Sequence, residues 1–359
     1  MKTLALLIIM DVLWMHPILS QAEDESGLSR PVGPGEIPTP AVPVKRVNPQ
    51  YPSQALIDYK DGWVMVSYTI STEGKVIEAM IEDSSGNEDL ERATLKVLRK
   101  WEFKPALLNG KPVEQSMTRT RMVFQLEPGV KGASNKFIRR FKAINKLIKE
   151  GKLDEAEPLL VDLELTEKHN LYEDAWFWWL HYEYLKAGGK AANSEMRDSL
   201  SKAIGYEEDY LQPDVFVAAS QSLYKLEIQD RDFSAAIDTY ERLANSKEAR
   251  RSNYYKEVIT NLETHVQKVR ELIAGNEILS LDARIGEHDY WSHRLLRRSF
   301  SLSDISGVLE LVDIRCERRT ARYTVSDTST WTIPESWGNC NLYIKGTPGS
   351  TFRIYEYPR

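Results

Sequence analysis

The sequence lacks most of what announces a function. In 359 residues there are only 2 cysteines, Cys316 and Cys340, too few for a disulfide-dense scaffold. The formal charge is −6, so no broad basic field points to nucleic acid. Beyond the N-terminal segment no apolar run approaches the about 20 residues that a membrane span needs. None of the 6 histidines lies one helical turn from another, and no serine or cysteine sits in a nucleophile motif. No cofactor and no small-molecule substrate is therefore expected.

What is present is the material of a folded protein. With 42% apolar residues and 9 tryptophans the chain is not disordered. Its length fits two or three domains of about 100–200 residues each. The start, "MKTLALLIIMDVLWMHPILSQAEDE", reads as a secretory signal over residues 1–22. Lys2 supplies the positive region, Leu4 to Met10 the apolar one, and Ser20-Gln21-Ala22 the small residues before a cut near Glu23. Asp11 interrupts the apolar run, and an uncleaved anchor is the alternative. Residues 23–44, with "SRPVGPGEIPTPAVP", read as a proline-rich linker with a reach of about 60 Å at about 3.1 Å per residue. In an exported chain Cys316 and Cys340 are expected to pair, closing a loop of about 25 residues worth about 3 kcal/mol.

From residue 45 to 127 the pattern becomes that of a small sheet with a helix. In "GWVMVSYTIS", Val64, Val66, Tyr68 and Ile70 alternate onto one face. Gly74 turns the chain, and "VIEAMIE" returns with Ile77, Ala79 and Ile81 on one face. "NEDLERATLKVLRKW" places Leu90, Ala93, Thr94, Val97, Leu98 and Trp101 on one helical stripe, with Asn87 as cap. A last strand, "QSMTRTRMVFQLE", puts Thr118, Thr120, Met122, Phe124 and Leu126 on one face and Arg119, Arg121 and Val123 on the other. Between helix and strand lies the stiff corner "WEFKPALLNGKPV", whose Pro105 ends the helix and whose Asn109-Gly110 makes a turn.

Residues 133–275 are helical. "EGKLDEAEPLLVDL" and "QDRDFSAAIDTYERL" resemble each other, with "GGKAANSEMRDSLSKAIG" as a weaker copy. The spacing, about 40 residues, resembles stacked hairpins of the tetratricopeptide kind. Pro158 is expected to disturb the first copy, and the aromatic run "DAWFWWLHYEYL" to pack between hairpins. Residues 281–359 read as a small all-β domain of short alternating strands.

The block 45–127 resembles the C-terminal domain of TonB, the periplasmic part of an envelope energy transducer. The resemblance rests on Tyr51-Pro52 with Ala55, Gly62 and Val64, Gly74 and Val76, then Trp101, Phe103, Pro105, Ala106, Gly110, Pro112 and Val113. It implies a small antiparallel α/β sandwich, so that the whole chain is α+β: this unit, then helical hairpins, then the β domain. It also implies a periplasmic, non-enzymatic protein. A partner's extended peptide, an outer-membrane receptor being one source, would lie beside the last strand near Tyr51, Pro52, Arg119, Arg121 and Val123. The transducer's domain ends its chain after a long spacer and hangs from a membrane helix with Ser and His four residues apart. Here the domain comes early, the spacer is short, and His16 has Val12 in that place. The bland reading of the arginines is that they keep an edge strand from aggregating.

An enzyme remains the competing reading. Glu287, His288, Asp289 and His293 in "GEHDYWSHR" offer metal-ligating side chains, though at no familiar spacing. The basic runs "RLLRRSF" and "CERRTAR" are expected to be solvated faces.

Overall fold

The computed structural model describes residues 38–57, 61–126, 132–166, 169–206, 210–247 and 253–358. The expected signal sequence lies outside them, as does most of the proline-rich stretch. The end of that stretch is extended but not loose. Strand β1 (Pro38–Thr39) pairs with β6 (Ala106–Leu108), and β2 (Val42–Lys45) with β5 (Glu102–Lys104).

After the short helix α1 (Ser53–Ile57), β3 (Gly62–Ile70), β4 (Val76–Ser84) and β8 (Gln115–Phe124) form a three-stranded antiparallel sheet in the order β4-β3-β8. Its inner face carries Val64, Val66, Tyr68, Ile70, Met122 and Phe124 against Leu90, Val97 and Leu98 of helix α2 (Glu88–Leu98). Asn87 caps α2, its side chain accepting from the Asp89 and Leu90 amides. In β4 the expected face is corrected. Ile77 pairs with Thr69 and Val76 with Ile70, so Val76, not Ile77, joins the core. The cause is a bulge at Glu78, whose φ is +52°, which resets the alternation.

The stiff corner is architecture. Asn109 (φ +52°) and Gly110 (φ +77°) close a tight hairpin between β6 and β7 (Lys111–Val113), the conformation a two-residue turn requires. Trp101 donates its indole N–H to the Val47 carbonyl at 2.8 Å and meets Tyr68 edge to face. The Phe103 amide donates to the Gly74 carbonyl at 2.8 Å. The two segments approach so closely that a Cβ on Gly74 would lie 1.9 Å from the Phe103 oxygen.

Among the described residues, seven helices form the middle of the chain. Helices α3 (Asn135–Lys149) and α4 (Leu153–Thr166) pack on each other, as do α5 (Leu171–Gly188) with α6 (Asn193–Gly205) and α7 (Pro213–Gln229) with α8 (Phe233–Asn245); α9 (Asn253–Ala274) follows. The two similar copies end their first helices identically. Gly151 and Arg231 both have positive φ, and Lys152 and Asp232 reach back to the carbonyls of Leu147 and Glu227. Pro158 does not break α4, which runs through it with the ring on the exposed side. The aromatic run of α5 serves both sides: Phe177 and Leu180 pack with α3 and α4, Ala175 and Tyr182 with the later helices.

The last part is a sandwich of two four-stranded antiparallel sheets. One has the order β10-β15-β12-β13, from Tyr290–Arg294, Cys340–Gly346, Leu309–Cys316 and Thr320–Tyr323. The other has the order β14-β11-β16-β9, from Thr330–Thr332, Ser299–Ser306, Thr351–Tyr357 and Leu279–Arg284. Cys316 and Cys340 face each other on β12 and β15 and are disulfide-bonded. The run "RLLRRSF" is not a solvated face. Arg297 is buried and donates to the carbonyls of Leu272, Ile273, Gly275, Glu277 and Glu356, closing the C-terminal end of α9.

Candidate partner-binding edge

The outer face of the N-terminal sheet decides what the expected site can do. Along β3 the residues opposite the core are Trp63, Met65, Ser67 and Thr69. By register they sit beside Val123, Arg121 and Arg119 of β8. This face does not look into open solvent. Trp63 is 1% exposed and lies in the helical core, edge to face with Tyr206 and against Gly205, where an added Cβ would meet the indole at 2.1 Å.

The β-sandwich covers the rest of the face through polar contacts. The Tyr343 hydroxyl lies 3.1 Å from the Ser67 hydroxyl and donates to Glu82 at 3.3 Å. Arg315 donates to the Glu78 carbonyl at 2.6 Å, the group that the bulge turns outward, and Arg322 pairs with the Glu78 carboxylate. Ser116, at the start of β8, meets Thr320 of β13 at 3.4 Å.

The arginines are therefore engaged within the chain. Arg119 pairs with Glu82 at 2.7 Å across the sheet. Arg121 stacks over the Trp63 ring at 5.2 Å. Arg119 borders two adjoining cavities of about 850 and 650 Å³, both walled by Asp238 and Glu241 of α8. Asp238 is held above the usual carboxylate range by burial, against the pull of Arg294 and Arg119.

Tyr51 and Pro52 lie at the foot of the same sheet. Pro52 accepts from the Leu56 amide and opens α1. The Tyr51 ring meets Phe124 edge to face, and its hydroxyl donates to Asp61 at 3.3 Å. Burial first, then Asp61, raises the Tyr51 phenol and keeps it neutral. Asp61 also accepts from the Leu126 amide at 2.8 Å, fixing the end of β8.

The backbone of β8 tells more than its side chains. Trp63 uses its amide and carbonyl toward the β4 side, with the Ser85 hydroxyl at 3.1 Å and the Ser85 amide at 3.0 Å. Trp63 and Val123 are opposite each other, so theirs is a pair without mutual hydrogen bonds. Val123 thus turns its own N–H and C=O away from β3, toward the outer edge. Among the described residues no strand pairs there, and Val123 is 47% exposed.

Of the residues in the competing metal reading, His293 has a setting apart from the consecutive Glu287, His288 and Asp289. His293 is buried, its Nε2 2.9 Å from Glu356 and its Nδ1 3.2 Å from the Ser234 hydroxyl, in the seam between α8 and the sandwich. His288 lies instead 3.7 Å from Glu91 of α2. Among the described residues no group of three or more His, Cys, Asp or Glu side chains is placed to hold a metal ion.

Residues 47–126 match the family described as Gram-negative bacterial TonB protein C-terminal. Protein TonB of Vibrio cholerae is 34% identical over 74 residues, which are 21% of this chain and 30% of that protein. Protein TonB of Xanthomonas campestris pv. campestris is 36% identical over 67 residues, 18% of this chain and 30% of that protein. The chain thus spans about 30% of the length of these curated relatives. Among solved structures, the Pseudomonas aeruginosa TonB C-terminal domain is 22% identical, with a TM-score of 0.22, covering 25% of this chain and 90% of that one. The Vibrio anguillarum TonB2 protein is 30% identical, with a TM-score of 0.21, covering 31% and 98%. Residues 47–126 are thus similar to the TonB C-terminal domain.

Proposed function

We propose that the protein is a non-enzymatic, periplasmic interaction protein related to TonB-dependent transport and energy transduction. Its TonB-type domain takes an extended segment of an envelope protein along the outer edge of β8. The observation that carries this reading is the outward N–H and C=O of Val123 on the terminal strand of that domain. A strand laid there gains main-chain hydrogen bonds that the edge leaves unused. The entry is the Val123 end of the strand, because Ser116 is met by the sandwich. An outer-membrane receptor is one source of the segment. Export by residues 1–22 brings the chain to it, an uncleaved anchor being the alternative. The helical hairpins, of the tetratricopeptide kind, offer a second protein-binding surface. With His293 turned to Glu356 and His288 to Glu91, the Glu287, His288, Asp289, His293 reading is not favoured.

Photo-crosslinking in intact cells tests the proposal. A photoreactive residue at Arg121 is expected to trap an envelope protein through one extended stretch, identified by mass spectrometry. The same experiment in a Val123→Pro background, which removes the outward donor, is expected to lose the adduct. An adduct unchanged by Val123→Pro would refute strand addition at this edge.

A further inference from the structure

Helix α3 carries a charge pattern that the TonB-type reading does not use. Its buried stripe is Phe137, Ile144 and Ile148. Around the opposite side the helix presents Lys136, Arg139, Lys142, Lys146 and Lys149, all exposed, and α3 contains no acidic residue. At 100° per residue, these five cations span the outward half of the cylinder over about 20 Å of axis. Exposed Ile138 lies within the same face. Lys136 is engaged with a neighbour of its own; among the described residues the other four cations show one ion pair, Lys146 with Glu150 at the helix end, at 3.7 Å. Arg140, which pairs with Asp162 of α4, lies on the flank and is not counted among the five. The concentration is local, since the chain as a whole has a formal charge of −6.

The composition indicates the partner. Centres of protein–protein interfaces are poor in lysine and rich in aromatic and arginine anchors. This face has four lysines to one arginine and no aromatic residue exposed on it. Long, mobile ammonium groups in a row suit a diffuse sheet of phosphates, where each cation acts through its charge and needs no fixed geometry. We propose that the outward face of α3 docks the protein on the phosphate headgroups of an anionic bilayer surface, with Ile138 resting at the headgroup level.

The full chain without residues 1–22 is mixed with phosphatidylcholine vesicles, with or without phosphatidylglycerol, and sedimented at low and high salt. Binding is expected only with phosphatidylglycerol and only at low salt. The combined variant Arg139→Gln, Lys142→Gln, Lys146→Gln and Lys149→Gln keeps good helix formers. Circular dichroism and thermal unfolding verify that it folds. Each cation near such a surface changes partitioning about fivefold, so losing four is expected to weaken binding by more than about a hundredfold. Equal binding by the variant would overturn the proposal, as would no binding to anionic vesicles at low salt. Preference for soluble polyglutamate over anionic vesicles would also overturn it, and would assign the face to an acidic protein.

Discussion

At the residue scale, several side chains are fixed by contacts that leave no slack. Gly74 combines φ +77° with the approach of the Phe103 carbonyl. Gly74→Ala is expected to cost about 3 kcal/mol, read as a lowered midpoint of thermal unfolding. Glu227 is buried, accepts from Thr239 at 3.1 Å and has its pKa pushed up to about 8, burial outweighing Arg197. The folded form thus holds a proton that an unfolded chain loses near pH ~4.3. Stability should therefore fall as pH rises from there through about 8. His293 adds to the same trend. Burial lowers its pKa, but Glu356 and Asp232 raise it further, so its contribution is present below pH ~6.5 and lost as pH rises through the raised value. Glu227→Gln should flatten the profile in chemical denaturation across pH 5 to 8, being near neutral at the acid end and stabilising at the alkaline end. A profile as steep as the parent's would assign the trend elsewhere. The sequence gives Glu227 and His293 no special setting. Their partners stand up to 63 residues away, in elements joined only by the final packing.

At the element scale, strand β8 makes the sharpest contrast. Met122 lies opposite Val64 inside the ladder, whereas Val123 turns its amide outward. Met122→Pro should therefore unfold the domain or cost about 3 kcal/mol or more. Val123→Pro should be tolerated far better, because proline is accepted where an edge strand's N–H faces out. Equal damage from the two, in thermal unfolding, would contradict the register read here. The turn between α7 and α8 supplies a second comparison. Arg231 holds φ +62° where its counterpart in the first hairpin is Gly151. Arg231→Gly should stabilise the chain by about 0.5 kcal/mol or leave it unchanged. Much of this scale was legible in the sequence: the inner face of β3, the stripe and cap of α2, and the turn at Asn109-Gly110 follow from local pattern. Two features were not. A bulge costs one residue of alternation and leaves no mark in composition, so Ile77 was placed on the wrong face. Pro158 lies past the first turn of α4 with its ring on the solvent side, a matter of packing and not of propensity.

At the scale of the whole molecule, the TonB-type domain is joined to the rest through two unlike seams. Toward the helices the seam is apolar and centred on Trp63. Toward the sandwich it is polar, with Tyr343, Arg315 and Arg322 against Ser67, Glu82 and Glu78. Trp63→Ala in the full chain should cost about 3–5 kcal/mol, a value for a core residue and not for an exposed one. A loss below about 1 kcal/mol would show that the seam does not form in solution. One clue was present in the sequence: Trp63 and Met65 make the supposedly outer face of β3 apolar too, the mark of a strand covered on both sides. The arginines of β8 read as outward-pointing for a partner because nothing in the sequence reveals that Glu82 and Trp63 already meet them.

Among the described residues no strand pairs with Val123 on the outer edge of β8. Amide hydrogen exchange of the folded chain, resolved residue by residue by nuclear magnetic resonance, measures this directly. The account predicts rapid exchange at Val123 beside strong protection at Met122. Protection of Val123 as deep as that of Met122, in the absence of any partner, would show the edge to be already closed.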